Sequence, residues 1–373
     1  MTTALNRTPL ASEHMALGAK MVNFGGWEMP LAYGSQIEEH LAVRSGAGMF
    51  DVSHMLIVDI EGPDARRFLR YLLANDVARL TEPGRALYSC MLNPEGGVID
   101  DLIVYAQGPD KFRLVVNAAC ADKDIAWMDR VQEVLSAQIS IAPRRDLAMI
   151  AVQGPHAHAK FWAAQAVAVF DRPRPSPFSS FQHEGLMVAR TGYTGEDGYE
   201  IIGAADRIVS LWRDLIVQGV RPCGLGARDT LRIEAGMNLY GQDMDEFTQP
   251  AEAALAWTVS RQDPQRDYIG RAAVTGFTLT RELVGLKLLE RGVMRAHMPV
   301  RTAAAADKNA GDGVVTSGTM SPTLGVSIGF ARLPAGQAIG SIVEVEMRGK
   351  WLPARVCTLP FVRHGKVVDT APR

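Results

Sequence analysis

From Leu283 onward, short strand-like runs recur between turn signals: Leu283–Leu289, Gly313–Gly318, Val326–Leu333, Ser341–Met347 and Trp351–Thr358. Runs this short and this regularly spaced pair with their sequence neighbours, so this part of the chain is expected to close as a compact antiparallel barrel. Before it, strands and helices alternate irregularly and hairpins intervene. That pattern fits an α+β fold better than a doubly wound sheet. The polar stretch Arg261 to Arg281 marks the change of texture, giving an expected N-terminal region 1–270 and barrel domain 280–365.

Within the N-terminal region, Ala65, Phe68, Leu69, Leu72 and Leu73 fall on one face of a helix over Asp64 to Leu73, which Gly62-Pro63-Asp64 starts. Val98 to Tyr105 and Phe112 to Val116 read as strands around the turn Gly108-Pro109-Asp110, and Asn117 is placed to cap a helix running to about Leu135. Leu147 to Gln153 is a further strand, after which Gly154-Pro155 opens a helix. The Pro- and Ser-rich segment Arg172 to Ser180 reads as a loop. Leu186 to Ile202 reads as two strands around a Gly-rich stretch, Thr191 to Gly198. Asp206 to Gln218 and Ala227 to Ala235 are helices, the second ended by Gly236 at C′.

Several function classes are excluded. Basic and acidic residues number 39 and 41, a formal charge of −2, so there is no electrostatic footprint for nucleic acid. The longest weakly polar run, Phe161 to Phe170, falls short of the roughly 18 apolar residues of a membrane span. Met1 to Pro9 lacks a secretory apolar run. The cytoplasm is the expected location. Cys90, Cys120, Cys223 and Cys357 are scattered, as reduced thiols are, and have no metal-ligand spacing. His156 and His158, two apart, read as surface or capping residues. There is no phosphate-cradling GxGxxG or P-loop.

Four places carry possible chemistry. Asp100 and Asp101 lie inside the apolar run Val98 to Val104, and strand alternation sends them to opposite faces. A carboxylate buried there must be paired, hydrogen-bonded or raised in proton affinity, which makes one of them a proton-handling candidate. The alternative is a strand-end carboxylate satisfied by backbone or arginine, and alternation does not choose between the two. Glu200, entering a strand after the glycines, suits paired N–H donors on a heterocycle, or else a salt bridge behind a hairpin. Arg228 suits a ligand oxygen, or else pairs with Asp229. Arg363 suits a ligand carboxylate, or else solvent.

Taken in order, the segments resemble one family: the aminomethyltransferase, or T-protein, of the glycine cleavage system. The matching motifs are Leu17-Gly-Ala-Lys-Met21, Phe24-Gly-Gly-Trp27 with Met29-Pro30, Phe50-Asp-Val-Ser-His-Met55, Asn93-Pro-Glu-Gly-Gly97 through Asp101, and Gly192-Tyr-Thr-Gly-Glu-Asp-Gly198. They continue with Ala227-Arg-Asp229, Glu234-Ala-Gly236, Leu239-Tyr-Gly241 and Ser317-Gly-Thr-Met-Ser-Pro-Thr-Leu324. The resemblance implies a cloverleaf of two N-terminal α+β lobes and a C-terminal antiparallel β-barrel, with folate in a central channel. It implies transfer of a methylene from an aminomethyl group on the lipoyl arm of H-protein to tetrahydrofolate, giving 5,10-methylenetetrahydrofolate, ammonia and dihydrolipoyl H-protein.

Residue by residue, the resemblance puts Asp101 at the catalytic position and Glu200 at the pterin-contacting one. Met55, Tyr88, Val115, Asn117, Tyr193, Arg228, Trp257 and Arg363 fall at the other folate positions. Arg113 departs from the pattern, standing where some relatives carry a tyrosine near the ligand. Tetrahydrofolate is implied as co-substrate, without metal, flavin or pyridoxal phosphate. Arg291 and Arg295 are candidates for contact with an acidic H-protein, or else a solvated face. The alternative function is a folate-dependent demethylase of the same fold acting on a small methylated amine or sulfonium compound. A non-enzymatic folate-binding protein is disfavoured by the absence of cysteine from Arg190 to Asp197 and by the intact Asp101.

Overall fold

The computed structural model describes residues 4–165, 174–305 and 311–368. Two antiparallel-rich sheets lie face to face. The first has strand order Ala86–Leu92, Val98–Gly108, Lys111–Val116, Leu56–Glu61 and Ser140–Pro143. The second has strand order Ser180–His183, Leu186–Ala189, Gly198–Ala204, Leu147–Gln153, Gly48–Asp51 and Arg221–Pro222. Their inner faces share one apolar cluster, which includes Phe50, Ile57, Tyr105, Val115, Met149 and Ile202.

Each sheet is covered on its outer face by a helix pair. Helices Ala65–Leu72 and Ala121–Leu135 cover the first. Phe68, Leu69 and Leu72 are fully buried there, each contributing about 1.5–3 kcal/mol of apolar burial. Helices Ala157–Ala164 and Ala205–Val217 cover the second with Phe161, Trp162, Ile208, Leu211, Trp212 and Leu215. These two lobes are the α+β halves that the family resemblance implied.

The third part is a closed antiparallel barrel of Arg281–Leu288, Ser327–Pro334, Gly313–Met320, Pro299–Arg301, Ile342–Met347 and Lys350–Cys357. Five of its strands match the runs read from the sequence. The sixth, Pro299–Arg301, was missed because three residues opening on proline show no alternation. Helix Leu225–Glu234 packs against barrel strands Gly313–Met320 and Ser327–Pro334 and joins the barrel to the lobes. Gly236 follows it with φ +71°, the left-handed C′ conformation expected.

One local expectation fails. Asn117 does not cap the following helix. The chain first makes a turn, with Cys120 N–H donating to the Asn117 carbonyl, and Cys120 occupies the N-cap of Ala121–Leu135. The Asn117 side chain is committed to two carboxylates instead. His156 does occupy the exposed N-cap of Ala157–Ala164, whereas His158 is bonded to the Tyr199 hydroxyl. Of the apolar run to Phe170 and the loop from Arg172, the portions 166–170 and 172–173 lie outside the described residues.

Candidate active site

The two lobes, the segment 237–257 and the barrel residues 317–322 enclose a cavity of about 1370 Å³. That is roomy beside the roughly 300–1,000 Å³ of most small-molecule sites. Met55, Tyr88, Asp101, Val115, Asn117, Tyr193, Glu200, Arg228 and Trp257 all line it. Arg363 does not. Beyond Val362 the chain runs along the outside, where His364 N–H donates to the Gly195 carbonyl, and Arg363 is exposed. Arg113 is also absent from the wall, because its guanidinium grips Asp59 at 2.7 and 2.8 Å.

The acidic wall comes from strand Val98–Gly108. Where it pairs with Ala86–Leu92, Met91 and Leu92 face Asp100 and Val98, leaving Ile99 as a bulged residue. Bulges re-aim neighbouring side chains. Asp100 is fully buried behind the strand, while Asp101 opens on the cavity. One amide serves both: Asn117 Nδ2 donates to Asp100 Oδ1 at 2.8 Å and to Asp101 Oδ1 at 3.0 Å. The Tyr88 hydroxyl donates to Asp101 Oδ2 at 2.7 Å. Burial first, and then the neighbouring Asp100, push the Asp101 carboxyl up to about 7, against the opposing pull of Tyr88 and Asn117. Trp257 stacks on Tyr88, with ring centroids 5.5 Å apart and planes 22° from parallel.

Across the cavity, Glu200 stands on strand Gly198–Ala204 between Ala151 and Ala189, whose small side chains leave it room. Its Oε2 accepts from Thr191 Oγ1 at 2.6 Å, and Thr191 in turn meets the Tyr105 hydroxyl at 3.1 Å. Burial raises the Glu200 carboxyl above its ordinary value. It joins no ion pair among the described residues, so the salt-bridge alternative does not hold. The Gly-rich loop before it is drawn tight: a Cβ on Gly192 would lie 2.0 Å from Gln153 Oε1. Arg190 clamps the loop through Asp197 at 2.7 and 2.8 Å.

Arg228 does not pair with Asp229, which bonds Arg232 at 2.9 Å instead. Its guanidinium lies 4.7 Å from the Tyr193 ring centroid, and its buried Nη1 has no hydrogen-bond partner. The Tyr193 hydroxyl donates to the Asn238 carbonyl.

Sequence reasoning passed over His54, although it sits inside the motif ending at Met55. It is buried, faces the cavity edge-on to Phe24 and has an unpartnered Nδ1. Burial holds it down at about 4, so it is neutral at pH 7. A histidine beside a buried aspartate, here Asp51, is the signal that marks it.

A central cavity with a carboxyl titrating near neutrality and an unsatisfied guanidinium defines this protein as an enzyme acting on a polar small molecule. Comparison with known proteins narrows the class. Residues 10–263 match the family model described as the GCVT N-terminal domain, and residues 281–363 match the glycine cleavage T-protein C-terminal barrel domain. The aminomethyltransferase of Bordetella parapertussis is 65% identical over 99% of this chain and 100% of its own length. That of Burkholderia orbicola is 54% identical over 98% of this chain and 99% of its own length. The crystal structure of glycine cleavage system aminomethyltransferase T from Bartonella henselae superposes with a TM-score of 0.89 at 34% identity, covering 96% of this chain and 99% of that one. The chain belongs to the glycine cleavage T-protein family and is an aminomethyltransferase; the demethylase alternative is not favoured.

Proposed function

We propose that the cavity binds tetrahydrofolate and receives the lipoyl arm of H-protein, and that Asp101 handles the proton of the transfer. The observation that carries the reading is the pairing, in one cavity, of an Asp101 carboxyl poised near pH 7 with a wall opposite formed by buried Glu200 and by Arg228. Glu200 would accept the paired N–H donors of the pterin, and Arg228 would meet a ligand acceptor. Met55, Tyr88, Val115, Asn117, Tyr193 and Trp257 would complete the folate site, and Arg363 stands apart from it. Residues 1–270 would form the folate-binding part, with 280–365 as the barrel domain.

The reaction balances as follows. One C–N bond to ammonia and one C–S bond to the lipoyl sulfur break, while two C–N bonds to folate nitrogens form. The two hydrogens leaving those nitrogens end on ammonia and on the thiol. Ionised Asp101 accepts the proton as a folate nitrogen attacks, and Tyr88 and Asn117 hold its two oxygens in line. The sign follows: the active form is the carboxylate, so turnover rises as pH increases through about 7. A cytoplasmic location agrees with four free, buried thiols. Exposed Arg295 at the cavity and exposed Arg291 are offered as contacts for H-protein.

The test mixes protein, tetrahydrofolate and aminomethyl-loaded H-protein and measures ammonia and methylenetetrahydrofolate. Wild type should make both, and Asp101→Asn should bind folate but turn over about 10²–10⁴-fold more slowly, without the limb near pH 7. Folate binding without ammonia from H-protein would sink the donor assignment.

A further inference from the structure

Behind Asp101 lies a carboxyl that the transfer scheme leaves unused. Asp124, in the first turn of helix Ala121–Leu135, is fully buried, and among the described residues neither of its oxygens meets a hydrogen-bond donor. Its carboxyl neighbours that of Asp100. The nearest cation, Lys123, is already spent: its three protons go to the Ile99 carbonyl, the Tyr240 hydroxyl and Glu246, at 2.9, 2.8 and 2.8 Å. Asp100 meanwhile accepts from Asn117 N–H at 3.0 Å and Asn117 Nδ2 at 2.8 Å. The Cys120 thiol also faces it. Two buried carboxyls in contact, one of them already an acceptor, need a proton between them, and only Asp124 is free to carry it.

We propose that Asp124 is a positioning residue: it keeps its proton, donates it to Asp100, and through Asp100 and Asn117 fixes both the placement and the proton affinity of Asp101. This rests on the reading of Asp101 as the proton-handling group. Burial, and then Asp100, push Asp124 up to about 10, with Lys123 opposing and Asp101 adding to the rise. Asp101 titrates lower, at about 7, facing Asp100, Tyr88 and Asn117. Asp124 therefore remains a constant donor across the range in which Asp101 gains and loses its proton. Without that donor, Asp100 and the Asn117 amide it shares with Asp101 lose their fixed placement, and the proton affinity of Asp101 changes with them.

Two variants separate this from plain packing. Asp124→Asn keeps an N–H donor but cannot ionise; Asp124→Leu keeps bulk and removes the donor. In the pH–rate profile, the limb assigned to Asp101 should stay within about 0.3 pH units in Asp124→Asn and shift by about one unit in Asp124→Leu. Equal shifts in both, or none in either, overturn the proposal. Infrared difference spectra provide a readout independent of turnover and of the leucine variant's folding. At pH 8.5 wild type should show a protonated-carboxyl C=O band that Asp124→Asn lacks, and its absence from wild type also overturns the proposal. Following the Asp101 band against Asp101→Asn keeps a failure here distinct from a failure of the catalytic reading.

Discussion

Arg228 and Arg232 stand four residues apart on helix Leu225–Glu234 and line the same cavity, yet their surroundings are opposite. Arg232 is almost wholly buried and almost wholly satisfied. It bonds Asp229 at 2.9 Å, Asp243 at 2.7 Å, the Met237 carbonyl at 3.1 Å and the barrel's Ser317 at 2.8 Å. Asp243 is itself fully buried and takes hydrogen bonds from Thr316 and Ser317. Arg228 has a buried Nη1 without a hydrogen-bond partner among the described residues, aromatic faces at Phe50 and Tyr193, and the distant charge of Glu200. Burial pulls its guanidinium below the ordinary range, a cost that no hydrogen bond to its Nη1 relieves among the described residues. A buried charge with its partners built in ties the barrel to the lobes. A buried charge without them is held ready for a partner that arrives from outside.

Substitution by methionine, which preserves bulk, tests the contrast most strongly at Arg232. Losing it leaves Asp243 buried without its cation, and unfolding by denaturant should show a loss of about 3–5 kcal/mol. A loss under about 1 kcal/mol would erase the distinction between the two arginines. Arg228→Met should do the reverse, leaving the denaturation midpoint nearly unchanged while tetrahydrofolate affinity, measured by calorimetry, falls about 10–100-fold, or about 1.5–3 kcal/mol. If both variants unfold alike, Arg228 belongs with the scaffold. The mildest sharpening comes from Trp257, which is 62% exposed while stacked on Tyr88. Trp257→Ala should cost about 0.5–1.5 kcal/mol in folate binding, with little change in folding stability.

The same contrast explains what was legible beforehand. The helix over Ala65–Leu72 and five barrel strands could be read because apolar periodicity reports directly which face meets a core. The pairing of Asp100 with Asp101 was visible as charge inside an apolar run. The choice of Asp101 rested on family resemblance; in the structure Asp101 opens on the cavity and Asp100 does not. Arg228 beside Asp229 misled, since adjacency in sequence suggested an ion pair that the helix geometry gives to Arg232. Asn117 misled in the same way, its capping signature overridden by two carboxylates from a neighbouring strand.

By itself, then, the sequence determined the α+β lobes, the barrel and the family, because periodicity and ordered motifs are local properties of the chain. Only the tertiary structure decided which arginine is spent on the scaffold, that Arg363 lies outside the cavity, and that Asp124 stands behind Asp100. Proton affinity and hydrogen-bond satisfaction depend on what lies within a few ångströms, and those neighbours come from segments far apart in the chain.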